Sequence, residues 1–313
     1  MNNNHAKYQR LLDACRGLPP MPTAVVHPCD EAAIEGAIGA AKLGLISPIL
    51  IGPQARIHEA ASKAGIEISG YPIVDAPHSH AAADKAVELV LSGQAEAIMK
   101  GSLHTDELMA AVVRRENGLR TSRRVSHCFV MDVPSHDDPL IISDAAVNIM
   151  PTLEDKVDIV QNAIDLAHAL QFAEVRVAIL SAMETVNPKV PSTVEAAALC
   201  KMADRKQITG AVLDGPLALD NAISLTAAEI KKIDSPVAGR ANVLIVPDLE
   251  AGNMLAKSLS FLAGADAAGI VLGARVPIIL TSRADSELTR QASCAVAVLV
   301  ARARREALAK VVS

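Results

Sequence analysis

Strand-like and helix-like segments alternate along nearly the whole chain, and this rhythm limits the folds open to it. TAVVHP is followed by an amphipathic run from Asp30 to Leu43, and SPILIGP by a run from Ala55 to Ala64. AEAIMKG leads into HTDELMAAVVRR, and VSHCFVMDVP closes the first half. Beyond it come VRVAILSA, GAVLDGP, ANVLIVPD, AAGIVLGA and PIILTS, with helical patterns between them and a C-terminal helix expected from about Ser286 to Lys310. Such alternation predicts an α/β fold: a parallel or mixed sheet covered by helices on both faces. The composition agrees. Half of the residues are apolar, yet only 2% are aromatic and Trp is absent, so the core is built from Ala, Val, Ile and Leu. These residues suit strands that are buried on both sides.

With 313 residues the chain has room for two medium domains. The likeliest seam is DDPLIISDAAVNIMPT, where a β-rich stretch gives way to a helix capped by Thr152 with acids in its first turn. Residues 1–143 with 284–313 are expected to form the first α/β domain and 144–283 the second, with a cleft between them. A net charge of -5 and the lack of a domain-wide basic stripe exclude a nucleic-acid-binding protein as a class. The start MNNNHAKYQRLLDACRG has no signal-peptide core, and no apolar stretch reaches membrane-spanning length. The expectation is a cytoplasmic protein that does not engage membranes. Its five cysteines (Cys15, Cys29, Cys128, Cys200 and Cys294) are scattered and never in CxxC spacing, so neither a disulfide framework nor a cysteine-rich metal site is expected.

Several strands end in polar motifs: Lys100-Gly101-Ser102, SAMETVNPK from Ser181, Asp214-Gly215-Pro216, PDLEAGN from Pro247, and Thr281-Ser282-Arg283. In a parallel sheet the carboxyl ends of the strands share one edge, where ligands bind. The groups are mostly hydrogen-bond donors, which suits an anion, above all phosphate. Each also has an ordinary reading. Lys100 suits a solvated strand end, Asp214-Gly215-Pro216 a turn, and Asp248 a helix cap. The arginines 114, 115, 120, 123 and 124 suit a solvated face or an anionic contact, and His78 and His80 read as structural or solvated. Walker A, GxGxxG, GxSxG and HExxH patterns are absent, which turns the reading away from ATP hydrolysis, dinucleotide binding and the common serine hydrolases.

KGSLHTDEL, DAAVNIMP, VNPKVPSTVEAAALCKMAD, DGPLALDNAIS, SPVAGRANVLIVPDLEAGN and LTSRADS together resemble the phosphate acetyltransferase and phosphate butyryltransferase family. The resemblance runs from about Val25 to the C-terminus. It implies two α/β/α domains of the isocitrate/isopropylmalate-dehydrogenase-like type, an active site in the interdomain cleft and a homodimer. It implies the reaction acyl-CoA + phosphate ⇌ acyl phosphate + CoA, with coenzyme A as substrate, no tightly bound cofactor and no metal. Carried over by residue, Ser282 would hydrogen-bond the developing oxyanion or the thiol, and the planar fork of Arg283 would hold the phosphoryl group.

Lys100 would contact phosphate or the CoA pyrophosphate, and Arg120 and Arg124 an anionic part of CoA. Asp214, Asn253 and Lys257 complete the expected substrate- and CoA-binding set. Three positions depart from the acetyltransferase pattern. Thr289 stands where an aspartate would serve as base, Met109 where an arginine would stand, and Ala145 where a cysteine would. The general base is therefore open between Asp285, Glu287, phosphate itself and water, and the acyl preference extends beyond acetyl. Two other readings remain: a non-catalytic acyl-CoA or acyl-phosphate binder, and a dehydrogenase on the related fold.

Overall fold

The computed structural model describes residues 6–281 and 285–312. The strands are β1 (Met21–Val26), β2 (Ile46–Gly52), β3 (Ile73–Asp75), β4 (Ala97–Lys100), β5 (Ser126–Asp132) and β6 (Leu140–Ser143). They continue with β7 (Arg176–Leu180), β8 (Val212–Leu217), β9 (Val243–Ile245), β10 (Asp266–Leu272) and β11 (Ile278–Ile279). The helices are α1 (Ala6–Ala14), α2 (Glu31–Lys42), α3 (Gln54–Ala64), α4 (Ser79–Leu91), α5 (Thr105–Val112) and α6 (Leu153–Ala169). The rest are α7 (Pro191–Asp204), α8 (Leu219–Ile223), α9 (Leu225–Ile230), α10 (Leu249–Ala263) and α11 (Glu287–Val312).

Two compact units emerge. Among the described residues, one holds Ser126–Ala267 with Lys7, the other Tyr8–Val125 with those from Ala268 onward. The expected divisions were 143/144 and 283/284, and the strand pairing explains the difference. β5 pairs antiparallel with β6, Cys128 opposite Ser143, so both strands stay with one ladder. β11, inside the span expected for the second domain, pairs in parallel with β4, Ile279 opposite Met99, and so belongs with the other unit.

In the unit containing Tyr8–Val125, the order is β3-β2-β1-β4-β11-β10, parallel except for β10. Its central strands are buried: Val25, Val26, Ile98, Met99, Ile278 and Ile279 are at most 1% exposed. This continuous burial is why they read as apolar runs without alternation. Helices α2 and α3 follow their strands as the sequence predicts, α2 starting from an Asp30 side chain that accepts the Ala33 N–H.

In the unit containing Ser126–Ala267, the order is β5-β6-β9-β7-β8, with β6, β9, β7 and β8 parallel. Met131, Ile142, Leu180, Leu217, Leu244 and Val246 form its aliphatic core. Helix α6 begins with the capping box expected at Thr152, closed by Asp155.

A buried ion pair ties Lys7 to Asp132 of β5 in the same unit. Lys7 Nζ donates to Asp132 Oδ1 and to the Val133 carbonyl, both at 2.7 Å. Removing one partner of such a pair leaves the other charge desolvated and alone. Lys7→Met is expected to destabilise the fold by about 3–5 kcal/mol, read from denaturant unfolding. A loss below about 1 kcal/mol would mean that Asp132 finds water or a proton instead.

Candidate active site

In the first unit β1, β2, β4 and β11 run parallel, so their carboxyl ends share one edge. There β1 continues as His27-Pro28-Cys29 and β4 as Gly101-Ser102, and the two turns are sewn together. Ser102 Oγ donates to the His27 carbonyl at 2.8 Å and accepts the Cys29 N–H at 2.9 Å. The Gly101 and Ser102 N–H groups donate to Val26 and His27 carbonyls, each at 2.9 Å. A Cβ at Gly101 would lie 2.4 Å from the Val26 carbonyl oxygen, so only glycine permits this approach. Burial holds the His27 imidazole below its usual pKa, offset in part by its bond to the Ser102 carbonyl.

Lys100 closes β4 at this same edge. Its Nζ lies 3.4 Å from the Gly101 carbonyl oxygen and 3.5 Å from that of Thr281, at the limit of hydrogen bonding. Thus the structure sets the lysine against the residue that precedes Ser282. Ser282 and Arg283 themselves lie outside the described residues.

Arg120 and Arg124 are not brought to this edge. Their loop is stapled to the β10–β11 connection: Arg120 bridges Ala274, Thr121 Oγ1 donates to the Gly273 carbonyl at 2.6 Å, and Arg275 N–H to Leu119 at 2.9 Å. That connection precedes β11, whereas Thr281 follows it, so the backbone of Arg120 lies at the opposite, amino edge. Both arginine side chains are exposed. Arg114 is held by Asp84 at 2.6 Å.

In the second unit the carboxyl ends of β6, β9, β7 and β8 line up likewise. After β6 the chain turns around Asp144, which is 3% exposed. Its Oδ1 accepts the N–H groups of Ala146 and Val147, and its Oδ2 those of His127 and Asn148 together with Asn148 Nδ2, the last at 2.6 Å. No cation forms an ion pair with it among the described residues. The turn is locked to the start of α10. A Cβ at Gly252 would lie 2.6 Å from the Asp144 carbonyl oxygen, and Asn253 Nδ2 donates to the Ala145 carbonyl at 3.2 Å. Lys257, one turn farther along α10, is exposed.

Asp214 does not stand in a turn. It lies inside β8 opposite Ala178, and its Oδ1 accepts the N–H of Gly215 at 2.8 Å. The strand runs on through Gly215 and Pro216 to pair Leu217 with Leu180, and Gly215 lies so close to β7 that a Cβ would be 2.7 Å from the Ile179 carbonyl oxygen.

Not every helix start is open to an anion. Asp30, His78, Thr152 and Asp248 cap α2, α4, α6 and α10 with their own side chains. Helices α5 and α7 begin without a side-chain cap. The α7 start follows the SAMETVNPK loop, and the hydroxyl of Ser192 in its first turn pairs with that of Ser181 at 2.9 Å. His78 is thus structural, and His80 Nδ1 lies 3.7 Å from Glu107 Oε2.

At the departing positions, Thr289 is buried with its hydroxyl bonded to Ser286 at 3.1 Å, Met109 is half-buried on α5, and Ala145 is fully buried. Sequence reading singled out neither the Ser102–His27 stitch nor the Asp144 hub with His127 and Asn148. The SDAAVN stretch carried one usable signal, an acid followed by small residues and an asparagine four positions on. Among the described residues no group of three or more His, Cys, Asp or Glu is placed to hold a metal, and no helix is long and apolar enough to cross a membrane.

The family described as Phosphate acetyl/butaryl transferase matches residues 79–298. A phosphate acetyltransferase of Rhizobium meliloti is 64% identical over 302 residues, covering 96% of each chain. A phosphate butyryltransferase of Clostridium acetobutylicum is 42% identical over 278 residues, 89% of this chain and 92% of its own. A solved branched-chain phosphotransacylase from Enterococcus faecalis V583 superposes with a TM-score of 0.79 at 29% identity, covering 90% of this chain and 99% of that one. A 4-hydroxythreonine-4-phosphate dehydrogenase from Klebsiella pneumoniae, 12% identical with a TM-score of 0.56 and covering 90% and 99%, shares the fold alone. The chain belongs to the phosphate acetyl/butyryl transferase family.

Burial raises every thiol. Cys15 and Cys29 are pushed up to about 11 and Cys128, Cys200 and Cys294 to about 12. Since the thiolate is the reactive form, iodoacetamide at neutral pH is expected to leave turnover intact. Rapid inactivation tracking one alkylated cysteine would contradict this. Burial also lowers His127 to about 4, with Asp144 opposing the shift. Its folded pKa lies below the unfolded value near 6.5, so the unfolded state takes up the extra proton between the two. Stability is therefore expected to fall as pH drops from about 6.5 to 4, with a slope that His127→Gln abolishes in pH-dependent unfolding.

Proposed function

We propose that this chain moves an acyl group between coenzyme A and inorganic phosphate, acetyl first among the acyl groups it accepts. The observation that carries the reading is the 64% identity, over 96% of both chains, to a phosphate acetyltransferase. In one direction a phosphate oxygen attacks the thioester carbonyl, the C–O bond forms, the C–S bond breaks and the thiolate leaves to take a proton. In the other the thiolate attacks the acyl phosphate and phosphate departs. Coenzyme A is a substrate here, and the acyl group never rests on the protein.

Ser282 serves the developing oxyanion or the thiol, and Arg283 the phosphoryl oxygens. The position of Lys100 against Thr281 supports a cation at that strand end. Asn253 and Lys257 on α10 are proposed contacts to the substrate. For Asp214, Arg120 and Arg124 the support is weaker: Asp214 bonds within β8, and the arginine loop rises from the opposite edge. A half-buried methionine at position 109 favours acceptance of propionyl and butyryl chains beside acetyl. Met254, Phe261 and Leu262, which are 63, 82 and 86% exposed on α10, support the expectation of a homodimer. The binder reading draws on Thr289, whose buried hydroxyl supplies no base.

Phosphate-dependent loss of thioester absorbance, followed for acetyl-, propionyl- and butyryl-CoA, tests the proposal. Ser282→Ala and Arg283→Ala are each expected to lower kcat/KM by ~10²–10³-fold, on the scale of losing one transition-state donor. CoA binding without turnover of any acyl-CoA would make the protein a binder. Lys100→Ala is expected to raise the phosphate KM or the CoA KM, and an unchanged pair would remove it from the site.

A further inference from the structure

Asn253 donates its Nδ2 to the Ala145 carbonyl, and this bond fixes which way the carboxamide faces. A carbonyl can only accept, so the amide nitrogen must turn toward Ala145 and the oxygen away from it. Among the described residues Asn253 Oδ1 accepts no hydrogen bond. The Ala145 carbonyl is in turn placed by Asp144, whose carboxylate gathers the N–H groups of residues 146, 147 and 148 into one turn. Gly252 lets that turn lie directly on α10. An unsupported loop would leave the Asn253 amide free to flip.

We propose that Asp144 is a positioning residue that, through the turn it closes, presents the Asn253 carboxamide oxygen as an acceptor for an N–H or S–H donor of the bound ligand. The inference rests on the acyl-CoA reading above and deepens it. Phosphate anions offer mainly acceptors and are repelled by a carbonyl oxygen, whereas the pantetheine arm of coenzyme A carries two amide N–H groups and the thiol. The ligand portion assigned to Asn253 is therefore the pantetheine arm, and not the phosphate or pyrophosphate.

Calorimetric titration with coenzyme A, beside steady-state KM values for acetyl-CoA and phosphate, separates the possibilities in the full-length protein. Asn253→Ala is expected to weaken CoA binding and raise the acetyl-CoA KM by ~10-fold, the scale of one hydrogen bond, while the phosphate KM stays within about twofold. Asp144→Asn turns one acceptor atom into a donor facing N–H groups and is expected to show the same split. Asn148→Ala removes the shortest bond to Asp144 and is expected to show a smaller split of the same sign, so a non-folding Asp144→Asn leaves the test in place. An unchanged CoA affinity in Asn253→Ala overturns the proposal, as does a phosphate KM that moves in step. Loss of kcat alone in the Asp144 and Asn148 variants, in proportion to unfolded protein, also overturns it. A wild-type protein that binds CoA but turns over no thioester defeats the acyltransferase reading, and the CoA titrations still decide this one.

Discussion

The pairing of β11 with β4 is two residues long, Ile278 opposite Ile98 and Ile279 opposite Met99, and the arrangement of one carboxyl edge depends on it. Because the two strands are parallel, the chain leaves both at the same end, so Thr281 meets Lys100 across 181 positions of sequence. Because β10 approaches β11 antiparallel, the connection between them must lie at the other end. The same short ladder therefore admits Lys100 to the strand end and keeps the Arg120 backbone away. Its strength comes from burial, since both isoleucines of β11 are fully buried.

Local signals were legible in the sequence, and non-local ones were not. Thr152 with Asp155, Asp248 before α10, and the aliphatic strands all announce themselves within a few residues, because caps and strand burial are short-range physics. The division into units was not legible, since it turns on which distant strands pair, and β11 looks the same in sequence whichever partner it has. Asp214-Gly215-Pro216 has the composition of a turn, but pairing with the distant β7 holds it in the strand, and the close approach to Ile179 requires glycine at position 215. The arginines looked like one cluster, yet Arg114, past the end of α5, is spoken for by Asp84 on α4. Of the candidate site, the motif set carried the family, while the placement of each side chain had to come from the fold.

Two buried carboxylates show different solutions to the cost of burying charge. Asp132 takes a lysine, which satisfies one oxygen and leaves Oδ2 without a hydrogen-bond partner among the described residues. Asp144 takes five N–H groups and, among the described residues, no cation, and both of its oxygens accept hydrogen bonds. A carboxylate solvated by main-chain N–H groups fixes the backbone that supplies them. Asp132 thus anchors Lys7, and Asp144 shapes a turn at a strand end. The N–H groups gathered on Asp144 are also withdrawn from any anionic ligand, so the turn resembles a phosphate nest already occupied by the protein's own side chain.

The missing acid at Thr289 bears on both directions of the proposed reaction, because a base that takes the proton from the thiol in one direction returns it to the departing thiolate in the other. Phosphate is already an anion at neutral pH and needs no base to attack a thioester, and the departing thiolate is a good leaving group. Only attack by coenzyme A requires a thiol to lose its proton. For a thiol of pKa near 8.5 the thiolate is about 3% of the total at pH 7, so doing without a base costs at most ~30-fold, or about 2 kcal/mol. The stabilisation assigned to one oxyanion donor is larger, about 3–4 kcal/mol. The proposed Ser282 and Arg283 therefore outweigh the absent carboxylate, and a threonine at position 289 is compatible with turnover in both directions.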